Sequence, residues 1–238
     1  MSVPATTLTR RERSRLRKTE LILTTALDMV ADNGLAGLTI QGLARALDWA
    51  PGALYRYFPS KDALFSALQQ RVINRYENEL SGFLAVSISV KNKDNSLAAL
   101  TVTALHYANY SQDNPNFFHL ISSVLADPQP LLPSQEGTEV MTAVDQILQR
   151  ITATIDKAQN EGVLSVGNPS DRTLVFWAAT QGVLQLKKLA RFAPERLDNA
   201  RLLRRTLTDL LLGWGGEPNA VHEAVSIAQE HVESLLTA

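Results

Sequence analysis

The stretch from residue 35 to residue 64 constrains the fold most, because helix breakers divide it into very short segments. It reads LAGLTIQGLARALDWAPGALYRYFPSKDAL. Asp48-Trp49-Ala50 separates a short helix predicted over residues 39–47 from another predicted over 51–58, and Pro59-Ser60 ends the second. A helix of about two turns is marginal in isolation. Packing must therefore hold the second helix, and its outward face is left free for contacts.

The rest of the chain shows helical periodicity, which predicts an all-α fold. Helices are predicted from about residue 18 to Asn33-Gly34, from Ser60 through Tyr76, and over 97–112, 115–126, 136–161, 171–192, 198–213 and 219–236. Gly34 can adopt a left-handed conformation at the end of the first helix. Asp171 and Asn219 are the predicted N-caps of two later helices. Residues 84–90 alternate briefly and stay ambiguous between helix and strand.

Charge is distributed unevenly along the 238 residues, although the net charge is only −1. Residues 1–61 carry nine Lys and Arg against five Asp and Glu, a net charge of +4, which leaves −5 for the remainder. A basic head on an acidic body indicates a polyanionic partner for the head. The basic stretch 10–18 either engages DNA in the minor groove or at phosphates, or is a solvated tail; both alternatives remain open.

Several classes of protein are disfavoured by what the sequence lacks. There is no cysteine, which removes disulfides, zinc thiolates and cysteine nucleophiles. No apolar run is long enough for a membrane span, and no secretory signal is recognisable at the N-terminus. HExxH, P-loop and strand-linked GxGxxG motifs are missing, and the histidine spacings do not indicate a metal pair. We expect no catalytic residues, no cofactor, no metal and no membrane partner, and a cytoplasmic location.

The residue types within 35–64 are those of a helix-turn-helix, in which the second helix enters the major groove. Pro51 suits the first position of a helix. Gly52 and Ala53 lack bulk, so the helix N-terminus can approach phosphates or base edges. Leu54 and Phe58 are predicted to point inward, which leaves the intervening side chains partly available to DNA.

The segment from about Arg17 to Leu68 resembles the DNA-binding domain of the TetR family of bacterial transcription regulators. The residues that carry the resemblance are Thr39, Leu43-Ala44, Gly52, Leu54-Tyr55, Tyr57-Phe58, Ser60-Lys61 and Leu64. The resemblance implies a basic flexible arm (1–16), a DNA-binding domain (17–62) and a helical effector-binding and dimerisation domain (63–238). The resemblance implies DNA contacts from Thr39, Gln41, Ala50, Pro51, Gly52, Ala53, Tyr55, Tyr57 and Lys61. Arg56 is added because its side chain is predicted to be available for phosphates.

Three residues depart from the family pattern. Asp48 replaces the usual glycine of the turn, and Asp tolerates left-handed geometry better than most residues. Trp49 replaces a smaller apolar residue and is expected to fill the domain core. Ala50 replaces a common Ser cap, a loss of about 1 kcal/mol of capping.

The C-terminal body is expected to bind a small, largely apolar effector between helices and to form a homodimer. The candidate pocket residues combine aromatic rings with a few polar groups: His106, Tyr107, Tyr110, Phe117, His119, Trp177 and Gln181. For any single one of them, ordinary core is the favoured interpretation, because aromatic residues at helical spacing are usually buried. An apolar stripe on residues 202–214 predicts an apolar face together with four residues of the preceding helix, Leu174, Ala178, Val183 and Leu186. This two-helix face either forms a dimer interface with the same face of a second copy or packs against the core of its own subunit. Gly182 on the earlier helix indicates a close helix approach.

The leading hypothesis is a ligand-responsive transcription regulator, a repressor by family habit, that binds a palindromic double-stranded DNA operator as a dimer. A helical ligand-binding or interaction protein without sequence-specific DNA binding is the alternative, since residues 50–53 offer few side chains that read bases. A helical enzyme is the third and weakest.

Overall fold

The computed structural model describes residues 9–89, 96–126, 135–193 and 195–236, and within these ranges every regular element is a helix. The helices are α1 (Arg10–Gly37), α2 (Ile40–Ala46), α3 (Pro51–Leu54), α4 (Lys61–Ser89), α5 (Ser96–Asp113), α6 (Pro115–Ala126), α7 (Gln135–Asn160), α8 (Pro169–Gln185), α9 (Asn199–Gly213) and α10 (Pro218–Leu236). A 3-10 segment, Leu186–Phe192, follows α8. The all-α prediction is confirmed. The described part of the ambiguous stretch, residues 84–89, is helical.

The start of α1 differs from the flexible arm expected over residues 1–16. The helix begins at Arg10, because Thr9 and Glu12 form a capping box. The Thr9 hydroxyl accepts from the Glu12 amide at 3.2 Å, and the Thr9 amide donates to Glu12 Oε2 at 2.7 Å. These bonds satisfy two amide donors at the helix start. The first eight residues of the expected arm lie outside the described residues.

Glycine and aspartate positions allow the sharp turns near the DNA-binding segment. Gly34 has φ 67° inside α1 and produces a kink four residues before Leu38. Asp48, after α2, has φ 55°. Both conformations favour residues with little steric penalty in the left-handed region. Asp48 therefore has the left-handed conformation that the sequence predicts, whereas Gly34, expected to end the first helix, lies at a kink inside α1, whose C-cap is Leu38.

The helices pack into two units. The first comprises the described parts of Met1–Val72 and Asn116–Met141, and the second those of Ile73–Pro115 and Thr142–Ala238. The boundary between these two units lies within α4. The reason is that Gln69 of α4 donates to the Leu120 carbonyl and to Ser123 Oγ of α6, at 3.4 and 3.2 Å.

The first unit has a small apolar core made by α1, α2, α3 and the beginning of α4. Its buried side chains include Ile22, Ala26, Val30, Leu43, Ala44, Leu54, Phe58, Leu64 and Leu68. Asn116 of α6 donates from Nδ2 to the Ala31 carbonyl at 2.9 Å. Helix α6 is thereby tied to the end of α1 within this unit.

In the second unit, α10 packs against α5 and α9, and α8 packs against α9. Val221, Ala224, Val225 and Ala228 of α10 are buried, as their periodicity predicts; the predicted Val232 and Leu235 side chains lie outside the description. The expected caps Asp171 and Asn219 are wrong. Asn168 caps α8, accepting from the amides of Ser170 and Asp171, and Glu217 accepts from the Ala220 amide at 2.8 Å.

Candidate nucleic-acid interface and ligand site

Helix α2 and the turn after it are fixed by hydrogen bonds to their own backbone. Thr39 is the N-cap, and its hydroxyl oxygen accepts from the Gly42 amide at 2.9 Å. Beyond Asp48, the Trp49 amide donates to the Ala44 carbonyl at 2.8 Å. These bonds, together with the left-handed Asp48, set the direction in which the next segment leaves α2.

The recognition segment, residues 50–58, is shorter as a helix than the sequence predicts. Helix α3 ends at Leu54, where a helix to Phe58 was expected. Ala50 provides no side-chain cap, and the remaining residues form a turn in which the amides of Tyr57 and Phe58 donate to the Leu54 carbonyl at 2.9 and 3.0 Å. Leu54 and Phe58 are buried. They anchor the recognition segment to the core, as the sequence predicts.

Most residues expected to contact DNA lie on the surface of the first unit. Those classed as exposed are Thr39, Gln41, Ala50, Pro51, Gly52, Tyr55, Arg56 and Lys61, and those partly buried are Ala53 and Tyr57. Thr39 uses an oxygen lone pair for capping, which leaves its hydroxyl proton available for a phosphate. The DNA contacts of all ten residues remain predictions.

Trp49 is not in the core, where the sequence led us to expect it. It is partly exposed and lies against Tyr57, with ring centroids 5.8 Å apart and planes at 35°. Lys18 Nζ lies 6.0 Å from the centroid of the Trp49 ring. The core of this unit is already filled by smaller apolar residues, so the large indole is placed beside the recognition segment instead.

The second unit contains a cluster of aromatic and polar side chains around Tyr76 of α4. The Tyr76 ring lies 5.4 Å from the His106 ring, 5.5 Å from that of Tyr107 and 5.0 Å from that of Tyr110. Tyr107 donates to Gln181 Oε1 at 2.9 Å, which connects α5 to α8. Four of the seven expected pocket residues are therefore neighbours. Tyr76 is a fifth member, which the sequence indicated only as the last residue of a predicted helix.

Three polar atoms in this cluster are buried and have no hydrogen-bond partner among the described residues: His106 Nδ1, Tyr110 Oη and Gln181 Nε2. Burying such groups without a partner is costly. Burial also raises the pKa of Tyr107 and Tyr110, that of Tyr110 to about 12, and lowers the pKa of His106. The cluster is therefore neutral near pH 7 and offers unused donor and acceptor capacity.

The other expected pocket residues lie elsewhere. Trp177, on α8, is half-buried. Phe117 and His119 belong to the first unit, on α6, where His119 is exposed. Helical spacing alone could not separate these aromatics from those of α5, because both helices carry alternating aromatic and polar residues.

Two structural searches bear on other functions. No set of three His, Asp or Glu side chains in the described ranges is placed to hold a metal ion. None of the helices, as far as they are described, combines the length and apolarity needed to cross a membrane.

An all-helical chain whose first unit exposes a turn-linked pair of short helices is a helix-turn-helix protein. The profile described as "Bacterial regulatory proteins, tetR family" matches residues 22–68. This match confirms the resemblance to the TetR family that the sequence of the N-terminal segment shows.

Similar proteins extend the match to different degrees. The nucleoid occlusion factor SlmA of Actinobacillus pleuropneumoniae is 36% identical over 94 residues, which cover 39% of this chain and 43% of SlmA. The HTH-type transcriptional regulator RutR of Escherichia coli K12 is 24% identical over 186 residues, 78% of this chain and 80% of RutR. The crystal structure of RolR with the ligand resorcinol has a TM-score of 0.64 at 14% identity, covering 91% and 95% of the two chains. At 14% identity, the likeness to RolR concerns the fold.

Proposed function

We propose that this protein is a ligand-responsive transcription regulator, a repressor, that binds a palindromic DNA operator as a homodimer. The observation that carries the proposal is the recognition segment: a turn-linked element anchored by Leu54 and Phe58, with Gln41, Tyr55 and Arg56 exposed around it. An anchored element with an exposed polar face is suited to reading base edges in the major groove. The proposal includes no catalytic activity, and it places the protein in the cytoplasm because a bacterial operator lies there.

Helix α8 supports the dimer. Leu174 and Val175 are 53% and 48% exposed, and Ala178 and Gly182 on the same face are also exposed. By contrast, Leu203, Leu207 and Leu211 of α9 are buried within the protomer. The apolar stripe predicted for these two helices is therefore divided, and its exposed part is the surface that a second copy would cover.

The cluster around Tyr76 supports the effector site. Its rings provide apolar surface, and the three unpartnered polar atoms would be satisfied by a small, largely apolar molecule that carries a hydroxyl or carbonyl group. Arg75 acts electrostatically on Tyr110 but is paired with Glu79, so the cluster carries no net positive charge and a polyanion is disfavoured. The solved structure of RolR holds resorcinol, a molecule of the size and chemistry that we propose here.

Selection of bound fragments from sheared genomic DNA tests the function. We expect the recovered fragments to share a palindrome whose halves lie about one helical turn apart or a multiple of that distance. Replacing Gln41 by Ala should change the base preference, whereas Lys61→Ala should weaken binding to all duplexes alike, because phosphates carry no base identity. Recovery of fragments without a shared sequence would favour the alternative, a ligand-binding protein that does not read DNA.

A further inference from the structure

The first turns of α1 face a cleft that also reaches the end of the recognition segment. The cleft has a volume of about 600 Å³, and five cations are among its lining residues: Arg10, Arg11, Arg15, Lys18 and Arg56. Tyr57 also lines it. An adjoining cleft of about 290 Å³ shares Lys18, Arg56 and Tyr57 and adds Trp49. The basic surface thus continues from α1 to the recognition segment.

The charge in this cleft is not neutralised within the described chain. None of the lining residues is acidic, and none of the five cations is in an ion pair with a described residue. The nearby carboxylates are engaged elsewhere, Glu12 with Thr9 and Glu20 with Arg71. Five like charges around one concave surface repel one another and raise the local concentration of anions.

Trp49 connects the two sides of this surface. Lys18 of α1 lies 6.0 Å from the centroid of its ring, within the range of a cation–π contact. On the other side, Trp49 stacks at a tilt on Tyr57, which directly follows Arg56. The indole therefore positions a lysine of α1 next to the recognition segment.

The ordered start of α1 decides how the cleft can meet a duplex. Arg11, Arg15 and Lys18 are spaced four and three residues apart, so they lie on one face of the helix, about one turn from each other. An α-helix with side chains is about 10 Å or more across, whereas the minor groove of B-DNA is about 6 Å wide. The helical part of the basic stretch is therefore too wide for the minor groove, and of the two kinds of DNA contact expected for this stretch, phosphate contact is the one that fits.

We propose that the cleft formed by Arg10, Arg11, Arg15, Lys18 and Arg56 binds the phosphate backbone of DNA flanking the half-site, with Trp49 as a positioning residue. The proposal rests on the proposed function, since it assumes that the recognition segment meets DNA. It assigns phosphate contacts to α1 that the family resemblance does not supply.

The salt dependence of binding tests the cleft directly. Each phosphate contact contributes about 0.9 to the slope of log Kd against log salt concentration. Arg11→Gln/Arg15→Gln should therefore reduce the slope by about 1.8 on the selected duplex and equally on a base-scrambled duplex of the same length. The matched control is Arg13→Gln/Arg17→Gln, which removes two charges from the same helix but outside the cleft lining. For this control, the slope of log Kd against log salt concentration should fall by less than half of the decrease expected for Arg11→Gln/Arg15→Gln.

Equal decreases for the two double variants would overturn the proposal, because general charge attraction would then explain the effect. No decrease for the cleft variant would overturn it as well. The scrambled duplex gives a result even where no operator is recovered, so a failure of the proposed function and a failure of the cleft are distinguishable.

A second measurement uses the positioning residue as a probe. In Trp177→Phe/Trp214→Phe, Trp49 is the remaining tryptophan of the chain. Binding of the scrambled duplex should change the emission of Trp49, and Arg11→Gln/Arg15→Gln in that background should require higher DNA concentrations for the same change.

Trimming the selected duplex to the bare palindrome should weaken DNA binding by the parent protein more than DNA binding by the cleft variant. Emission unaffected by saturating DNA, or an equal effect of trimming on both, would contradict the assignment.

Discussion

The hydroxyl of Tyr107 donates a hydrogen bond to Gln181 Oε1 at 2.9 Å, so one buried contact connects α5 and α8 within the second unit. Both side chains are at least nine-tenths buried. Tyr107→Phe removes the donor and leaves the amide oxygen of Gln181 buried without one. We expect a loss of about 1–3 kcal/mol in the free energy of unfolding, measured by urea denaturation.

The matched control is Tyr55→Phe, because the Tyr55 side chain is 50% exposed. It should change stability by less than about 0.5 kcal/mol. Equal effects of the two substitutions would show that the Tyr107–Gln181 bond contributes nothing to stability.

His106 should make stability depend on pH. Burial lowers its pKa, although Glu79 opposes the shift; Tyr76 and Phe83 also face its ring. Below about pH 6.5 the unfolded imidazole binds a proton that the folded one does not yet bind, so protons favour the unfolded state and stability falls as the pH falls. The loss between pH 7.5 and pH 5 should be larger for the parent protein than for His106→Gln.

His222→Gln provides the control, since His222 is exposed on α10. The free energy of unfolding of His222→Gln should change with pH as that of the parent protein does. If His106→Gln also retained the parent's pH dependence, the buried imidazole would not be the group responsible.

Gly182 and Leu174 test the dimer. A Cβ at Gly182 would meet nothing within 4 Å in the protomer, so Gly182→Leu fits an isolated subunit but not a close contact between helices. Sedimentation velocity at micromolar concentration should show monomers for Gly182→Leu and for Leu174→Glu. Val166, 90% exposed in the loop before α8, gives the control Val166→Glu, which should remain dimeric. Dimers in all three variants would exclude this face as the interface.

Asp48 tests the turn before the recognition segment. At φ 55° a β-branched residue is strained, so Asp48→Val should destabilise the first unit by about 1–2 kcal/mol, whereas Asp48→Gly should not destabilise it. Denaturation followed through Trp49 emission in Trp177→Phe/Trp214→Phe measures this. Asp32→Val, at an exposed helical position, should have little effect. A loss for Asp48→Val no larger than that for Asp32→Val would contradict the role of the left-handed turn.

The order and type of the helices could be predicted because apolar periodicity and breakers act locally. Gly34 and Asp48 adopt the conformations their residue types favour. The sequence wrongly predicted a core position for Trp49, because the position of this side chain depends on how much core volume Leu43, Leu54 and Phe58 fill. Asn168 and Asp171 are both suitable N-cap residues at the start of α8, and Asn168 is the one that caps the helix. The cluster around Tyr76 depends on which face of α4 meets α5, and spacing along one helix does not determine that.

The central claim is that the protein reads a DNA sequence, and the ratio of two dissociation constants tests it most directly. Kd should be measured at about 150 mM salt for the duplex recovered by selection and for a duplex of the same length and composition with the bases scrambled. The account predicts that the recovered duplex binds about 1,000-fold more tightly or better. Two equal values of Kd that fall together with decreasing salt would contradict it, because such binding involves only the phosphates.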